Sequence, residues 1–211
     1  QLINSDVRRA KKERRKLSKS SKSLAGFSLL LGLDNLKGDS VKLEHHNVFF
    51  PQDYDAEFDQ IFDQKVPVTD PTIYICAPKD KSMVKGENKE AWFVLVNAPR
   101  HDPKNGWDWS TNGEQYAKQI INKLDSLGLN VSTRLDLMKF RTPLDLQEYA
   151  MAPGGSIYGT SSNSASSAFL RASNRSKIKN LYCVGGSAHP GGGLPLVGIS
   201  ADIVSEIIGK A

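Results

Sequence analysis

The feature that most constrains this chain is its last stretch, Leu181 to Ala211, which reads LYCVGGSAHPGGGLPLVGISADIVSEIIGKA. An apolar run of strand length, Leu181–Val184, predicts a β-strand, and a glycine-rich loop follows it. Apolar residues at helical spacing then predict a helix that begins near Pro195 and ends at Gly209. A helix N-terminus behind a glycine loop suits an anion or an electron-rich carbonyl, because the first helical N–H groups have no intrahelical partner.

Two interpretations of this loop are open from its composition. One is a ligand site, because glycine lets a flat or charged group approach the backbone closely. The other is a tight turn between strand and helix without a ligand. The dinucleotide fingerprint G-x-G-x-x-G is incomplete, since Gly191 and Gly193 fit but Leu196 stands in the third glycine position. The helix is also predicted to bury one apolar stripe, which consists of Val197, Ala201, Val204, Ile207 and Ile208.

The loop and its helix resemble the C-terminal flavin-binding signature of the phytoene desaturase family of carotenoid desaturases. The resemblance continues upstream, in the family's order, through HHNVFF, DPTIYICAP, WFVLVNAPR, TPLDL, PGGSIYGTSSNS, FLRASNRS and IKNLYCVGG. It covers the chain from about Ser20 to Ala211. The chain resembles the branch that acts on C30 carotenoids about as well as it resembles the phytoene enzymes.

The resemblance implies that FAD accepts a hydride from a polyene hydrocarbon, which also loses a proton and gains a conjugated double bond. It places the start of the last helix near the flavin ring, where N–H groups stabilise negative charge. The implied cofactor-binding residues are Gly185, Gly186, Ser187, Pro190, Gly191, Gly192, Gly193 and Leu194. His189 is the candidate catalytic residue for proton removal, and a positioning role is the alternative. No C-x-x-C motif or His/Cys cluster in the sequence predicts a metal site.

A flavoprotein of this kind also needs a first βαβ unit, in which G-x-G-x-x-G is followed by an acidic residue about 20 positions later. Neither feature is found in this sequence. We therefore expect the chain to be the C-terminal part of a longer enzyme, with the missing N-terminal FAD-binding part as its partner. Alternatives within the family are a carotenoid oxygenase and a retinol-type saturase. The alternative from another class is a non-catalytic module that binds a membrane surface.

The basic charge of the chain is concentrated at its beginning. Residues 1–22 hold nine basic and two acidic side chains, whereas the other 189 residues hold 19 basic and 21 acidic ones. Residues 7–17 are predicted to form a helix that is either simply solvated or drawn to an anionic membrane surface. Nucleic acid is not expected as a partner, because aromatic side chains are not interleaved with the basic ones. We expect a cytoplasmic protein that is peripheral to a membrane.

The order of the predicted elements favours an α+β fold, because helices do not alternate regularly with strands. We predict a substrate domain with an antiparallel or mixed sheet and packed helices. The last strand and helix of a Rossmann-like FAD-binding domain accompany it. The predicted parts are a basic segment (residues 1–22), a substrate-domain portion (23–150) and a C-terminal portion of the FAD-binding domain (151–211).

The spacing of apolar residues and the positions of glycine and proline predict the remaining helices and strands. Strands are predicted at residues 25–33, 42–50, 72–77, 92–97 and 131–137, and helices at 53–63 and 111–127. The second of these helices begins with Thr111 and Glu114 at capping-box spacing. Within a strand, His45 and His46 point to opposite faces. Cys76 and Cys183 are predicted to be buried thiols, because each lies in an apolar run.

Overall fold

The computed structural model describes residues 8–34, 43–84, 86–161 and 171–209. The chain divides into two compact units. The sheet unit comprises Leu24–Ser156, and the loop unit comprises Gln1–Ser23 together with Ile157–Ala211. The glycine-rich loop therefore belongs to a different unit from the sheet.

The sheet unit is built on five antiparallel strands in the order β2-β3-β4-β1-β5. The strands are β1 (Ala25–Asp34), β2 (His46–Phe49), β3 (Ile73–Cys76), β4 (Lys89–Ala98) and β5 (Leu135–Arg141). The longest strands, β1 and β4, pair along their full length from Ala25 opposite Ala98 to Asp34 opposite Lys89. The α+β class and the predicted sheet are thus confirmed, and the sheet is antiparallel throughout its described strands.

Helices connect these strands and cover one face of the sheet. They are α2 (Tyr54–Asp59, continued by a π-helical turn Gln60–Gln64), α3 (Trp109–Ser126), α4 (Val131–Arg134) and α5 (Pro143–Ala150). Short 3₁₀ turns lie at Lys81–Met83 and Pro153–Gly155. The predicted helix at 53–63 is confirmed, although its second half is wound as a π-helix.

The core of the sheet unit lies between α3 and the inward face of the strands. Phe27 of β1 lies at its centre. The distance from the ring centroid of Phe27 to that of a neighbouring ring is 5.0 Å for Tyr116, 5.4 Å for Trp109 and 5.9 Å for Phe140. Every second residue of β1 and β4 is buried there, as a strand with one covered face requires. On the opposite face, the cross-strand partners Leu30 and Phe93 are exposed.

The predicted strand at residues 131–137 is wrong in its first half. Residues Val131–Arg134 form the short helix α4, and β5 begins only at Leu135. Alternation of apolar and polar residues misled the prediction, because Val131 and Arg134 are both buried at a spacing of three, which suits a helical turn. Arg134 is anchored there by a hydrogen bond from Nε to the Asp34 carbonyl (2.8 Å) and by an ion pair with Glu90 (3.1 Å).

The predicted start of α3 is also wrong. The helix begins at Trp109, and its N-cap is Asp108, whose Oδ1 accepts a hydrogen bond from the Ser110 amide (2.9 Å). Hydrogen bonds from Ser110 lower the pKa of Asp108, so this cap is ionised at neutral pH. Burial of Trp109, whose indole donates to the Pro99 carbonyl (2.9 Å), outweighs the capping-box pattern two residues later. Gly128 ends the helix region with a φ of 80°, near its predicted place.

The described residues of the loop unit form two helices, α1 (Arg8–Lys19) and α6 (Leu194–Ile208). Helix α1 confirms the predicted basic helix, except that residue 7 lies outside the described residues. The predicted strand Leu181–Val184 is wrong: within the described residues it forms only an isolated bridge between Tyr182 and Arg175. A strand needs a neighbouring strand to complete its ladder, and the described part of the unit offers none there.

The predicted apolar stripe of α6 is mostly exposed. Val204 is buried and Val197 is half-buried, but Ala201, Ile207 and Ile208 are exposed. The second fully buried residue of the helix is a polar one, Ser200. The predicted helix and its end at Gly209 are confirmed. Helical periodicity does not, however, indicate which apolar side chains pack against another part of the protein.

The buried hydroxyl of Tyr116 makes a pH-dependent contribution to the stability of the sheet unit. It donates a hydrogen bond to the Val68 carbonyl (3.0 Å). Burial raises the pKa of Tyr116 far above its usual range, and the nearby Glu57 carboxylate adds to the shift. Above about pH 10 the unfolded chain ionises this tyrosine while the folded chain keeps its proton, so stability falls as pH rises.

We expect Tyr116→Phe to lower the free energy of unfolding by about 1 kcal/mol at neutral pH and to flatten its decline above about pH 10. Urea unfolding measures this through tryptophan fluorescence, because all three tryptophans lie in the sheet unit. The control is Tyr149→Phe, since Tyr149 is 80% exposed. Equal slopes above pH 10 for Tyr116→Phe and the unchanged chain would contradict the expectation.

Candidate functional site

The glycine-rich loop runs from Gly185 to Gly193 and leads directly into α6. Three of its glycines have positive φ: Gly185 (111°), Gly191 (148°) and Gly193 (97°). The His189–Pro190 peptide bond is cis. The loop is therefore a defined backbone path made of conformations that few other residues adopt.

A buried asparagine holds this loop together. The side chain of Asn174 is 4% exposed, and its Nδ2 lies 3.0 Å from the Cys183 carbonyl, 2.8 Å from the His189 carbonyl and 2.8 Å from Ser200 Oγ. Its backbone carbonyl also accepts a hydrogen bond from the Cys183 amide (2.8 Å). One amide group thus ties the segment before the loop and the middle of the loop to helix α6.

Ser200 completes the network from the side of the helix. Its hydroxyl oxygen, fully buried, accepts a hydrogen bond from the Gly185 amide (3.2 Å).

Arg171 supports the loop through a second set of hydrogen bonds, because its Nη1 donates to the carbonyls of Gly186 (3.1 Å) and Tyr158 (3.0 Å). Sequence reasoning missed Asn174, Ser200 and Arg171 as loop supports, although the first and last lie in the FLRASNRS block.

The start of α6 is an open helix N-terminus. Gly193 is the N-cap, no side chain caps the helix, and the first turn holds no acidic residue. A Cβ atom built on Gly193 meets nothing within 4 Å, and Leu194 is 89% exposed. Among the described residues, nothing therefore covers the unpaired N–H groups and the positive end of the helix dipole at this point.

The neighbouring position, Gly192, is not open. The ring of Tyr158 packs directly on it, and a Cβ atom at Gly192 would stand 2.0 Å from Tyr158 Cδ1. This glycine is required for the close approach of a side chain of the same unit. Among the described residues, the helix start is thus bordered by the Tyr158 ring at Gly192 and uncovered at Gly193.

The remaining predicted site residues lie on the same loop with different exposure. Ser187 and His189 are exposed, and Gly186 and Pro190 are half-buried. The backbone of His189 is fixed, since its amide donates to the Ala172 carbonyl (2.9 Å) and its carbonyl is bound by Asn174. Within the described residues, no hydrogen bond orients its imidazole ring.

The sequence showed no His/Cys cluster, but the fold brings three such residues together. In the sheet unit, His45, His46 and Cys76 lie together at the β2 edge, with one potential ligand atom from each within 4.8 Å of the others. The imidazole rings of His45 and His46 have centroids 4.4 Å apart and are not on opposite faces, because His45 precedes β2 and lies in a bend.

The burial of the two cysteines also differs from the prediction. Cys76 and Cys183 are half-buried free thiols, so the prediction that both are buried is wrong.

Comparison with known proteins identifies the class. No family model matches the chain. Curated relatives do match, and their names describe desaturases and an oxygenase of carotenoids. The chain belongs to the carotenoid desaturase family.

Three relatives illustrate the similarity. The 1-hydroxycarotenoid 3,4-desaturase of Flavobacterium sp. (strain P99-3) is 35% identical over 193 residues, which are 90% of this chain and 39% of that protein. The 4,4'-diapophytoene desaturase (4,4'-diaponeurosporene-forming) of Staphylococcus aureus (strain Newman) is 34% identical over 194 residues, 88% of this chain and 38% of that protein. The 4,4'-diapolycopene oxygenase of Methylomonas sp is 33% identical over 202 residues, 93% of this chain and 39% of that protein. The chain thus spans about two fifths of the length of these relatives.

The Asn174–Ser200 network predicts a local stability effect. Ser200→Ala removes the hydroxyl that accepts the hydrogen bond from the half-buried Gly185 amide. The loss of this acceptor should destabilise the loop by about 1–3 kcal/mol. We expect amide hydrogen exchange at Gly185, followed by NMR, to accelerate at least about 5-fold. The control is Ser205→Ala, because Ser205 lies on the same helix but is exposed. Equal exchange rates in the two variants would rule out a supporting role for the Ser200 hydroxyl.

Proposed function

We propose that this chain is part of an FAD-dependent carotenoid desaturase and that its glycine-rich loop and α6 form one wall of the flavin site. The observation that carries the proposal is the uncapped start of α6 beside Gly193, in a chain of the carotenoid desaturase family. The loop unit as a whole would be the C-terminal portion of a Rossmann-like FAD-binding domain. The sheet unit would be a portion of the substrate domain.

The residues present fit a flavin in two respects. The open space at Gly193 admits a flat ring close to the backbone, and the uncapped N–H groups suit an electron-rich carbonyl. The residues that would contact the cofactor are Gly185, Gly186, Ser187, Pro190, Gly191, Gly193 and Leu194, with Gly192 contributing through its backbone only. The pyrophosphate-binding βαβ unit would come from an N-terminal segment, because this sequence holds no complete fingerprint for it.

When bound, FAD supplies the oxidising power by accepting a hydride from the substrate. The chain's own contribution would be positioning: the amides at Gly193 and Leu194 would hold an electron-rich carbonyl, and the α6 dipole would stabilise negative charge at this point. A polyene hydrocarbon offers no polar group to bind. The exposed apolar side chains of Leu194, Leu196 and Ile199 beside the loop suit such an apolar neighbour.

His189 is the one titratable side chain of the loop and the candidate to take up the proton that the substrate loses. Its backbone is held at two points, so the position of the residue is fixed. Its imidazole has no orienting partner among the described residues, whereas a general base is ordinarily held by a third group. We therefore assign His189 to the site as a contact residue, with proton removal as its candidate role.

Desaturation is the first of two candidate reactions. Two of the three named relatives are desaturases, and the third is named an oxygenase at a comparable identity of 33%. Both reactions act on the same class of apolar substrate, so the loop geometry serves either. The product formed from a carotenoid in the presence of oxygen separates them: a new double bond marks a desaturase and a carbonyl marks an oxygenase.

The flavin proposal is tested in a hybrid in which this chain replaces the matching 193 residues of the Flavobacterium relative. We expect the hybrid to purify with the visible absorbance of bound FAD. Gly193→Ala should lower flavin occupancy several-fold, because a methyl group there enters the space assigned to the ring. Gly209→Ala is a matched control: Gly209 also flanks α6, has positive φ and meets nothing within 4 Å. A folded hybrid without flavin, or equal losses in both variants, would refute the site.

A second partner class, an anionic membrane surface, is favoured by α1. Among the side chains of α1 that the structure describes, four basic ones are exposed: Arg8, Lys11, Lys12 and Arg15. Each contributes about 1 kcal/mol of attraction near an anionic lipid surface. Among the described residues, none of the helices has both the length and the apolar composition that crossing a bilayer requires.

We expect the chain to co-sediment with vesicles that contain phosphatidylserine and to be released by salt, because screening weakens surface electrostatics. Replacing the four exposed basic residues with glutamine should lower the bound fraction several-fold. Vesicles of phosphatidylcholine alone are the control. Unchanged binding of the glutamine variant would show that α1 is only a solvated helix.

A further inference from the structure

Three metal-ligating side chains meet at the β2 edge of the sheet unit. One ring nitrogen of His45, one of His46 and the Sγ atom of Cys76 all lie within 4.8 Å of one another. Both histidines are exposed and the cysteine is half-buried, so an ion can reach all three from solvent. We propose that this triad binds a divalent transition metal ion of the Zn²⁺ class.

The backbone brings two of these residues together directly. His46 and Cys76 are opposite each other in the antiparallel β2–β3 ladder. Directly opposed residues point to the same face, with Cβ atoms about 4.5–5.5 Å apart. Ile75 next to Cys76 is fully buried, which places Cys76 and His46 on the face of the sheet opposite to its core. The register of two strands therefore provides a fixed pair of ligands.

The third ligand is positioned by the turn that leads into β2. The His45 carbonyl accepts a hydrogen bond from the Ala77 amide (2.8 Å), which ties this residue to the end of β3. Asn47 closes the turn, since its Oδ1 accepts from the Glu44 amide (2.9 Å) and its Nδ2 donates to the Glu44 carbonyl (2.7 Å). The bend at His45 brings its ring to 4.4 Å from that of His46, between centroids.

Tyr74 is a positioning residue for this triad. Its hydroxyl lies 2.8 Å from Nδ1 of His46, and the two rings are stacked with centroids 6.0 Å apart. In the tautomer that carries its proton on Nδ1, His46 donates to this hydroxyl and leaves Nε2 free for an ion. Histidine ligands of metals almost always have such an outer partner, which fixes the tautomer and the ring orientation.

The ligand set selects the class of ion. Imidazole nitrogen and thiolate sulfur suit Zn²⁺ and its transition-metal neighbours, whereas Mg²⁺ and Ca²⁺ prefer oxygen. Bond lengths of about 2.0–2.3 Å place tetrahedral ligand atoms roughly 3.3–3.6 Å apart. To bind an ion, the three ligand atoms have to move about 1 Å closer to one another. Small rotations of the exposed imidazole side chains within their rotamer wells achieve this. Three protein ligands leave a fourth position for water.

The test is a Co²⁺ titration of the chain with its thiols reduced, because a cobalt–thiolate bond gives a charge-transfer band in the near ultraviolet. We expect one Co²⁺ per chain, this band, and its loss when Zn²⁺ is added. Cys76→Ser should abolish the band, whereas Cys183→Ser should keep it, since Cys183 is the other half-buried free thiol.

The histidines are tested by competition for Zn²⁺. His45→Ala and His46→Ala should each weaken binding by more than about 10-fold, since loss of an outer partner alone costs about 10–100-fold. Tyr74→Phe should weaken it by about 10-fold while the charge-transfer band stays in place. Unchanged tryptophan fluorescence shows that the sheet unit of each variant is folded.

Three results would overturn the proposal. The first is the absence of a charge-transfer band in the unchanged chain. The second is a band of equal intensity after Cys76→Ser, which would assign the thiolate to Cys183. The third is unchanged Zn²⁺ affinity in both histidine variants, which would show that the imidazoles are only neighbours of the thiol.

Discussion

The loop unit depends on the side-chain amide of Asn174. Its NH₂ group has two hydrogens and three acceptors within reach, so it is shared between two loop carbonyls and the Ser200 hydroxyl. Because Asn174 is buried, water does not compete for these hydrogen bonds. The loop can therefore keep the glycine conformations that leave the start of α6 uncovered. The open helix N-terminus at Gly193 is a consequence of a polar contact that lies behind it.

Much of the sheet unit could be predicted from the sequence, because its elements follow simple periodicities. The uncharged apolar run at residues 25–33 indicated a buried strand, and the structure forms β1 there and buries Phe27, Leu29, Leu31 and Leu33. The helix predicted at residues 111–127 is present as α3, with an earlier start. The glycine loop, the helix after it and the glycine that ends it were also predicted, since glycine and proline act on the backbone locally.

The features that could not be predicted depend on distant contacts. Alternation at residues 131–134 fits a strand and a helical turn equally, and the pairing of Arg134 with a carbonyl 100 residues away decides between them. The role of Asn174 is invisible in a sequence, because its three acceptors come from separate places. The His45–His46–Cys76 group needs the β2–β3 register, which spacing alone does not give.

The central place of β1 has a consequence during synthesis. Its first partner, β4, begins at Lys89. Its second partner, β5, begins only at Leu135, which is about 100 residues after the end of β1. At a translation rate of about 5–20 residues per second, β1 waits roughly 5–20 s before its second edge can be covered. During that interval an apolar ten-residue strand emerges from the ribosome with unpaired backbone groups. Production of this chain in cells should therefore depend on holding chaperones, and slower elongation would lengthen that exposure.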